Sequence, residues 1–386
     1  MATNESNPPQ SLMRRRGARA NTARPPDGHG TTLYDMAIVA GIVAIVTGIV
    51  LATLFVARGG LDANAAQAPG DRVAGQLAQA PTADEGRGVA HEPFKAVDPH
   101  LPAVPDGAVK RFEVDVYEHV TKVSDDLAPL QVWSYSVNGV EHRGTGASAP
   151  IVVEQGDDVR IDLLNGSTSA MHVAFPHSID FHSAEVAPNK AFVTIAPGEK
   201  HVLRFNAKHP GVFMYHCATE PVLLHTGAGM VGVMIVKPRN LAPVDHELWI
   251  TQQEFYFGPE PGGMPDQFKM EAKQPDVIAF NGYARQYAKA PITVGRGERV
   301  RMYVLNAGPS IWSAFHVIGT VFDKTVIEGV VGHDAQTINL APSQGGWVEF
   351  TLDQEGSYPF VTHAFADMVK GAAGVLRTEH AGSPGE

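Results

Sequence analysis

Short apolar stretches, each closed by Gly, Pro or Asn, recur along most of the chain: VRIDLL, HVLRF, VGVMIV and VRMYVL. They are strand-length, rich in β-branched residues and without helical spacing, which predicts strands. The stretches come twice. GDDVRIDLLN (156–165) answers GERVRMYVLN (297–306), IAPGEKHVLRF (195–205) answers LAPSQGGWVEF (340–350), and HPGVFMYHC (209–217) answers QEGSYPFVTH (354–363). The near-constant separation marks a duplicated domain and not a short solenoid repeat. The expected fold class is all-β: two tandem Greek-key β-sandwiches, the first over residues 111–238 and the second over 245–378.

One stretch breaks this pattern. Met36 to Ala57 runs without a charge, long enough for a bilayer, which needs about 20 residues, and longer than the roughly 7–15-residue apolar core of a signal peptide. Residues 35–57 are therefore expected to form a transmembrane anchor, with cleavage at DANAAQA as the competing outcome. Residues 1–34 are polar and Pro-rich, with Arg14, Arg15, Arg16, Arg19 and Arg24, and read as a disordered tail. Its arginines place the tail in the cytoplasm. The expectation is a single-pass cell-membrane protein with both sandwiches on the extracytoplasmic side. Residues 58–110 are rich in Ala, Pro, Gly and Asp and read as a linker.

Charge and cysteine content sharpen the picture. The chain carries a net charge of −11, and the basic tail means that everything after it is more acidic still. That argues against a nucleic-acid partner. Cys217 is the only cysteine, so no intramolecular disulfide forms. In an oxidising compartment a lone thiol calls for an occupant.

The occupant is suggested by the stretch YHCATEPVLLHTGAGM, Tyr215 to Met230. A thiolate (Cys217), imidazoles and a thioether (Met230) are the donors of a mononuclear copper that passes single electrons. A second cluster lies upstream in PHSIDFH, residues 176–182. Side chains alternate faces along a strand. His177 and His182 therefore face opposite ways, and so do His216 and Cys217. One face can gather His177, Cys217, His225 and Met230 around one metal. The other can carry His182 and His216, with Asp180 on the same side. Two imidazoles make a poor site alone, so a further histidine must come from elsewhere.

At these residues the sequence resembles the copper-containing nitrite reductases, whose two-cupredoxin subunits carry HxIDFH, then HC, His and Met in this order. The resemblance runs from about Phe112 to Thr378. It implies tandem cupredoxin-like sandwiches and reduction of nitrite to nitric oxide, fed by a small redox-protein donor. It assigns His177, Cys217, His225 and Met230 to a type 1 copper, His182 and His216 to a type 2 copper, and Asp180 to the acid that hydrogen-bonds substrate. It implies a homotrimer, in which the second domain of an adjacent subunit supplies the third type 2 ligand. His316, in AFHVIG, fits that position, ahead of His333 and His363. FHVIG resembles both HVAF and PHSI, so His316 aligns with either His172 or His177.

The second sandwich cannot repeat the thiolate site. Aligned on Gly211 and Gly356, Cys217 corresponds to Thr362; aligned on Gly232 and Gly374, Met230 corresponds to Ala372. The family pattern is broken at one place: residues 281–300 hold no histidine, where the family usually has a second catalytic one. His333 and Glu328 are the available substitutes. His91, His100, His142, His201, His209, His246 and His380 read as solvent-exposed. Two other functions compete. A multicopper oxidase needs paired HxH motifs, and none occurs here; another type 2 copper chemistry, on oxygen or hydroxylamine, stays open. A membrane-tethered electron carrier needs the type 1 site alone.

Overall fold

The computed structural model describes residues 77–166 and 175–379. The expected tail, the anchor at 35–57, the first part of the linker, His172 and His380 lie outside them. No helix among the described residues is long and apolar enough to cross a membrane.

The first sandwich uses β1 (Val109–Thr121), β2 (Leu130–Val137), β3 (Ile151–Glu154), β4 (Asp158–Asn165), β5 (Asp180–Phe181), β6 (Lys200–Asn206), β7 (Gly211–His216) and β8 (Val231–Lys237). These form two sheets, in the orders β2-β1-β4-β6 and β3-β8-β7-β5. The second uses β9 (His246–Phe255), β10 (Val277–Phe280), β11 (Ile292–Gly295), β12 (Arg299–Gly308), β13 (Ser313–Val317), β14 (Lys324–Ile327), β15 (Val330–Gly332), β16 (Ile338–Leu340), β17 (Gly345–Thr351), β18 (Gly356–Thr362) and β19 (Ala373–Glu379). Its sheets are β10-β9-β12-β17-β14-β15 and β11-β19-β18-β13-β16. Remove β14, β15 and β16 and the strand orders coincide.

The duplication holds residue by residue. Asn165 Nδ2 donates to the Phe175 and Ile195 carbonyls, and Asn306 Nδ2 donates to those of Ile311 and Leu340. The Cys217 N–H donates to Met230 O at 3.1 Å, and the Thr362 N–H to Ala372 O at 3.2 Å. Tyr215 faces Gly232 in register, as Phe360 faces Gly374. A Cβ at either glycine would overlap the facing aromatic ring. Gly232→Ala and Gly374→Ala are each expected to cost about 3 kcal/mol by overpacking, read as a lowered midpoint in urea denaturation.

Each sandwich has its own core, with Trp133, Tyr135 and Tyr215 in the first and Phe280, Phe315 and Phe360 in the second. A third apolar cluster joins them: Val212, Met214, Val233 and Ile235 of β7 and β8 lie against Tyr303, Leu305 and Trp347 of β12 and β17. This is why β7 is buried on both faces over most of its length. The stretch read as a linker is in part something else. The Ala128 N–H donates to Pro81 O, and Ala83 N–H to Asp126 O, on the first sandwich. Further on, Trp249 N–H donates to Pro99 O and Leu101 N–H to Glu247 O, on β9 of the second. Residues 77–110 thus strap the two sandwiches, because their backbone groups find partners there. Low apolar periodicity hid this.

Candidate metal centres

β5 lies against β7 with Asp180 opposite His216 and Phe181 opposite Tyr215. Alternation then sends Phe181, Tyr215 and Cys217 into the core and leaves His182 exposed. Val212, Met214 and His216 share the other face of β7, and His216 sits at its end. The expected division of the two histidine pairs is the observed one.

On the core side, His177, Cys217 and His225 are each at most 2% exposed. Cys217 Sγ is 3.3 Å from His225 Nδ1 and 3.9 Å from His177 Nδ1, and the two nitrogens are 3.2 Å apart. A point equidistant from the three atoms lies about 2 Å from each, the length of a metal–imidazole bond. The donors thus fit a small, thiophilic ion. Met230 is fully buried in the same core cluster, and its backbone bonds both Cys217 and His225. His225 rides on the short helix Val222–Gly227, which turns the chain back between β7 and β8. The Trp133 ring meets His177 and His225 edge-on at 5.2 and 4.9 Å between centroids.

Burial pushes the Cys217 thiol up, but hydrogen bonding to His177 and His225, the His225 charge and the Ser178 N–H outweigh it and hold the thiol at about 4. A thiolate is the form that binds metal. Ser178 approaches that sulfur with its N–H at 3.4 Å and its hydroxyl at 3.8 Å. Burial pulls His177 down, yet Cys217 and Glu118 together leave it raised.

On the outer side, Asp180, His182 and His216 bring one ligand atom each to within 4.8 Å of one another. His216 Nε2 is 3.1 Å from His182 Nε2 and 3.6 Å from Asp180 Oδ2, and Nδ1 is turned to Cys217 O at 2.9 Å. Burial, and then the neighbouring His216, pulls His182 down, against Asp180. That direction favours the neutral ring, the form in which a histidine binds metal.

His316 aligns with neither His172 nor His177. β13 places it opposite Val361 of β18, as β5 places Asp180 opposite His216 of β7. It is therefore the counterpart of Asp180. Its Nδ1 hydrogen-bonds the Gln336 carbonyl, and its ring lies 5.3 Å from that of His363. His333 bonds the Asp323 carbonyl and Glu328 accepts from Gln344; neither joins the Asp180 group. Residues 281–300 are built for packing, with Asn281, Tyr283, Gln286 and Tyr287 all buried. His142 departs from its expected exposure: it lies against Trp249, and burial drags it to about 4.

Sequence reasoning passed over Glu118, whose carboxylate is 3.0 Å from His177 Nε2. The only signal in the sequence was an acidic residue among the apolar positions of β1.

A family profile described as multicopper oxidase matches residues 123–240. The chain is 35% identical over 305 residues to the copper-containing nitrite reductase of Neisseria gonorrhoeae, covering 75% of each. It is 27% identical over 313 residues to that of Alcaligenes faecalis, covering 73% of this chain and 80% of the relative. Among solved structures, the copper nitrite reductase of Nitrosomonas europaea superposes with a TM-score of 0.63 at 27% identity, over 70% of this chain and 94% of that one. Sequence, fold and donor set agree, and the chain belongs to the copper-containing nitrite reductases.

Proposed function

We propose that the chain reduces nitrite to nitric oxide with copper: nitrite, one electron and two protons give nitric oxide and water. One observation carries this reading. A buried His–Cys–His group and an outward Asp–His–His group stand on opposite faces of one strand end, joined by the His216–Cys217 peptide. An electron carrier has no use for the second group.

Copper, when bound, would relay single electrons at the buried centre and polarise nitrite as a Lewis acid at the outer one. His177, Cys217, His225 and Met230 are the ligands of the first, one copper per chain. His182 and His216 hold the second, with His316 of the partner subunit as the third ligand. Its support is a shared posture: His316 Nδ1 faces a backbone carbonyl, as His216 Nδ1 does, which fixes the ring and frees Nε2. Asp180 hydrogen-bonds the substrate oxygen and delivers a proton as the N–O bond breaks. Its place opposite His216 keeps the carboxyl beside the imidazoles without burying it.

Such sharing of ligands is satisfied by a closed ring of head-to-tail subunits, and the proposed ring is the homotrimer that the family resemblance implies. The uncharged run at 36–57 supports a membrane anchor, and the arginines before it support catalytic sandwiches on the outside. The proposed electron donor is a small redox protein, as the family membership suggests.

The test is nitric oxide release at an electrode from the copper-loaded full chain, with nitrite and a reduced mediator under anaerobic conditions. Sustained release is expected; its absence from protein holding both coppers would overturn the reading. His316→Ala is expected to lose the type 2 electron-paramagnetic signal, with bound copper falling from two per chain toward one. A specific observation favours His363 as the other candidate: it is exposed and comes directly after Thr362, the counterpart of Cys217. If His363→Ala loses the signal and His316→Ala keeps it, the ligand is His363.

A further inference from the structure

Glu118 stands near the end of β1, 59 residues before His177. Its side chain is 4% exposed, and that of His177 is fully enclosed. Oε1 accepts twice: from the Phe175 N–H at 3.1 Å and from His177 Nε2 at 3.0 Å. A carboxylate at that nitrogen requires the proton on Nε2, which leaves the Nδ1 lone pair free toward Cys217 and His225.

The second sandwich contains its own control. Gln252 of β9 pairs with Asn306 as Val116 of β1 pairs with Asn165, so Glu254 is the counterpart of Glu118. Glu254 Oε1 also accepts from the backbone that enters the next strand, Ser310 N–H at 2.9 Å and Ile311 N–H at 2.7 Å. Ile311 is the counterpart of Phe175, by the matching bonds from Asn306 and Asn165. The scaffold therefore uses a glutamate here as a strap in both halves. The halves part company two residues further along. The position of His177 is held in the second half by Ser313, whose hydroxyl donates to Gln252 and not to Glu254. Only in the first half does the strap also reach a metal ligand.

We infer that Glu118 is a positioning residue for the buried copper: it fixes the tautomer and orientation of His177 and lowers the centre's reduction potential through its buried negative charge. The inference rests on the type 1 reading of His177, Cys217, His225 and Met230. A carboxylate hydrogen-bonded to the far nitrogen raises the basicity of a ligating imidazole. A fixed negative charge in a buried, weakly screened site favours the more positive, oxidised ion. The acid that served as a backbone strap in both halves thereby sets the step at which electrons enter.

The measurement is the midpoint potential of the copper-loaded full chain, tracked through the thiolate-to-copper absorption band. Glu118→Gln keeps the shape and an oxygen for the Phe175 and His177 donors while removing the charge. It is expected to retain the band and to shift the reduced-to-oxidised ratio about tenfold toward reduced, which for one electron is about 59 mV upward. Glu254→Gln removes the equivalent charge in the second sandwich and is expected to leave the potential unchanged. A Glu118→Gln chain with the band present and the wild-type potential would overturn the inference, and so would equal shifts in both variants. A wild-type chain with no such band when copper-loaded would overturn the type 1 reading itself and this inference with it.

Discussion

Asp180→Asn is expected to bind both coppers and to lose about 10²–10⁴ of its nitrite turnover. The amide keeps the size and the place opposite His216, so neither β5 nor the imidazole pair moves. An amide has no acidic proton to give to an oxygen that leaves as water, and that loss is the larger part of the expected effect. His216 Nε2 lies 3.6 Å from Asp180 Oδ2, so the carboxylate contributes to the imidazoles' field as well as to the chemistry. Copper content and nitrite turnover on one preparation separate the two roles. Full copper with collapsed turnover is the expected pair. Wild-type turnover would remove Asp180 from the mechanism. Lost copper would make it a ligand instead.

Cys217→Ala is expected to abolish the visible charge-transfer absorption and to reduce donor-driven turnover to background. The sulfur is the only thiolate available to a metal, and without it the remaining imidazoles and thioether form no strongly coloured site. His182 and His216 stand on the other face of the strand end and keep their copper, so bound metal falls by one per chain and not by two. The observation that would sink the type 1 assignment is persistent visible absorption in this variant. Persistent turnover would show that electrons reach the outer centre by another path.

Much of the site was legible because its geometry is local. Parity along PHSIDFH and the adjacency of His216 and Cys217 decide which side chains share a face, whatever the rest of the fold does. Cys217, His225 and Met230 lie within one loop, so a single turn between β7 and β8 gathers them. The duplication was equally legible, since matching strand sequences recur in the same order at a near-constant separation in both halves.

What depended on distant pairing was not legible. That His316 answers Asp180 emerges only from the registers of β13 on β18 and β5 on β7; string similarity suggested histidines instead. The strap formed by residues 77–110 depends on hydrogen bonds to loops and strands far along the chain, which leave no periodic trace. Glu118 reaches His177 only because β1 lies parallel to β4, whose last residue, Asn165, donates to the Phe175 carbonyl two residues before His177. The sequence by itself determined which donors exist and which face each takes, because alternation along a strand is a property of the backbone. The tertiary structure alone decided which carboxylate stands behind the buried ligand and which residues bind the two halves together, because those contacts are made across sheets and between sandwiches, where sequence distance carries no information.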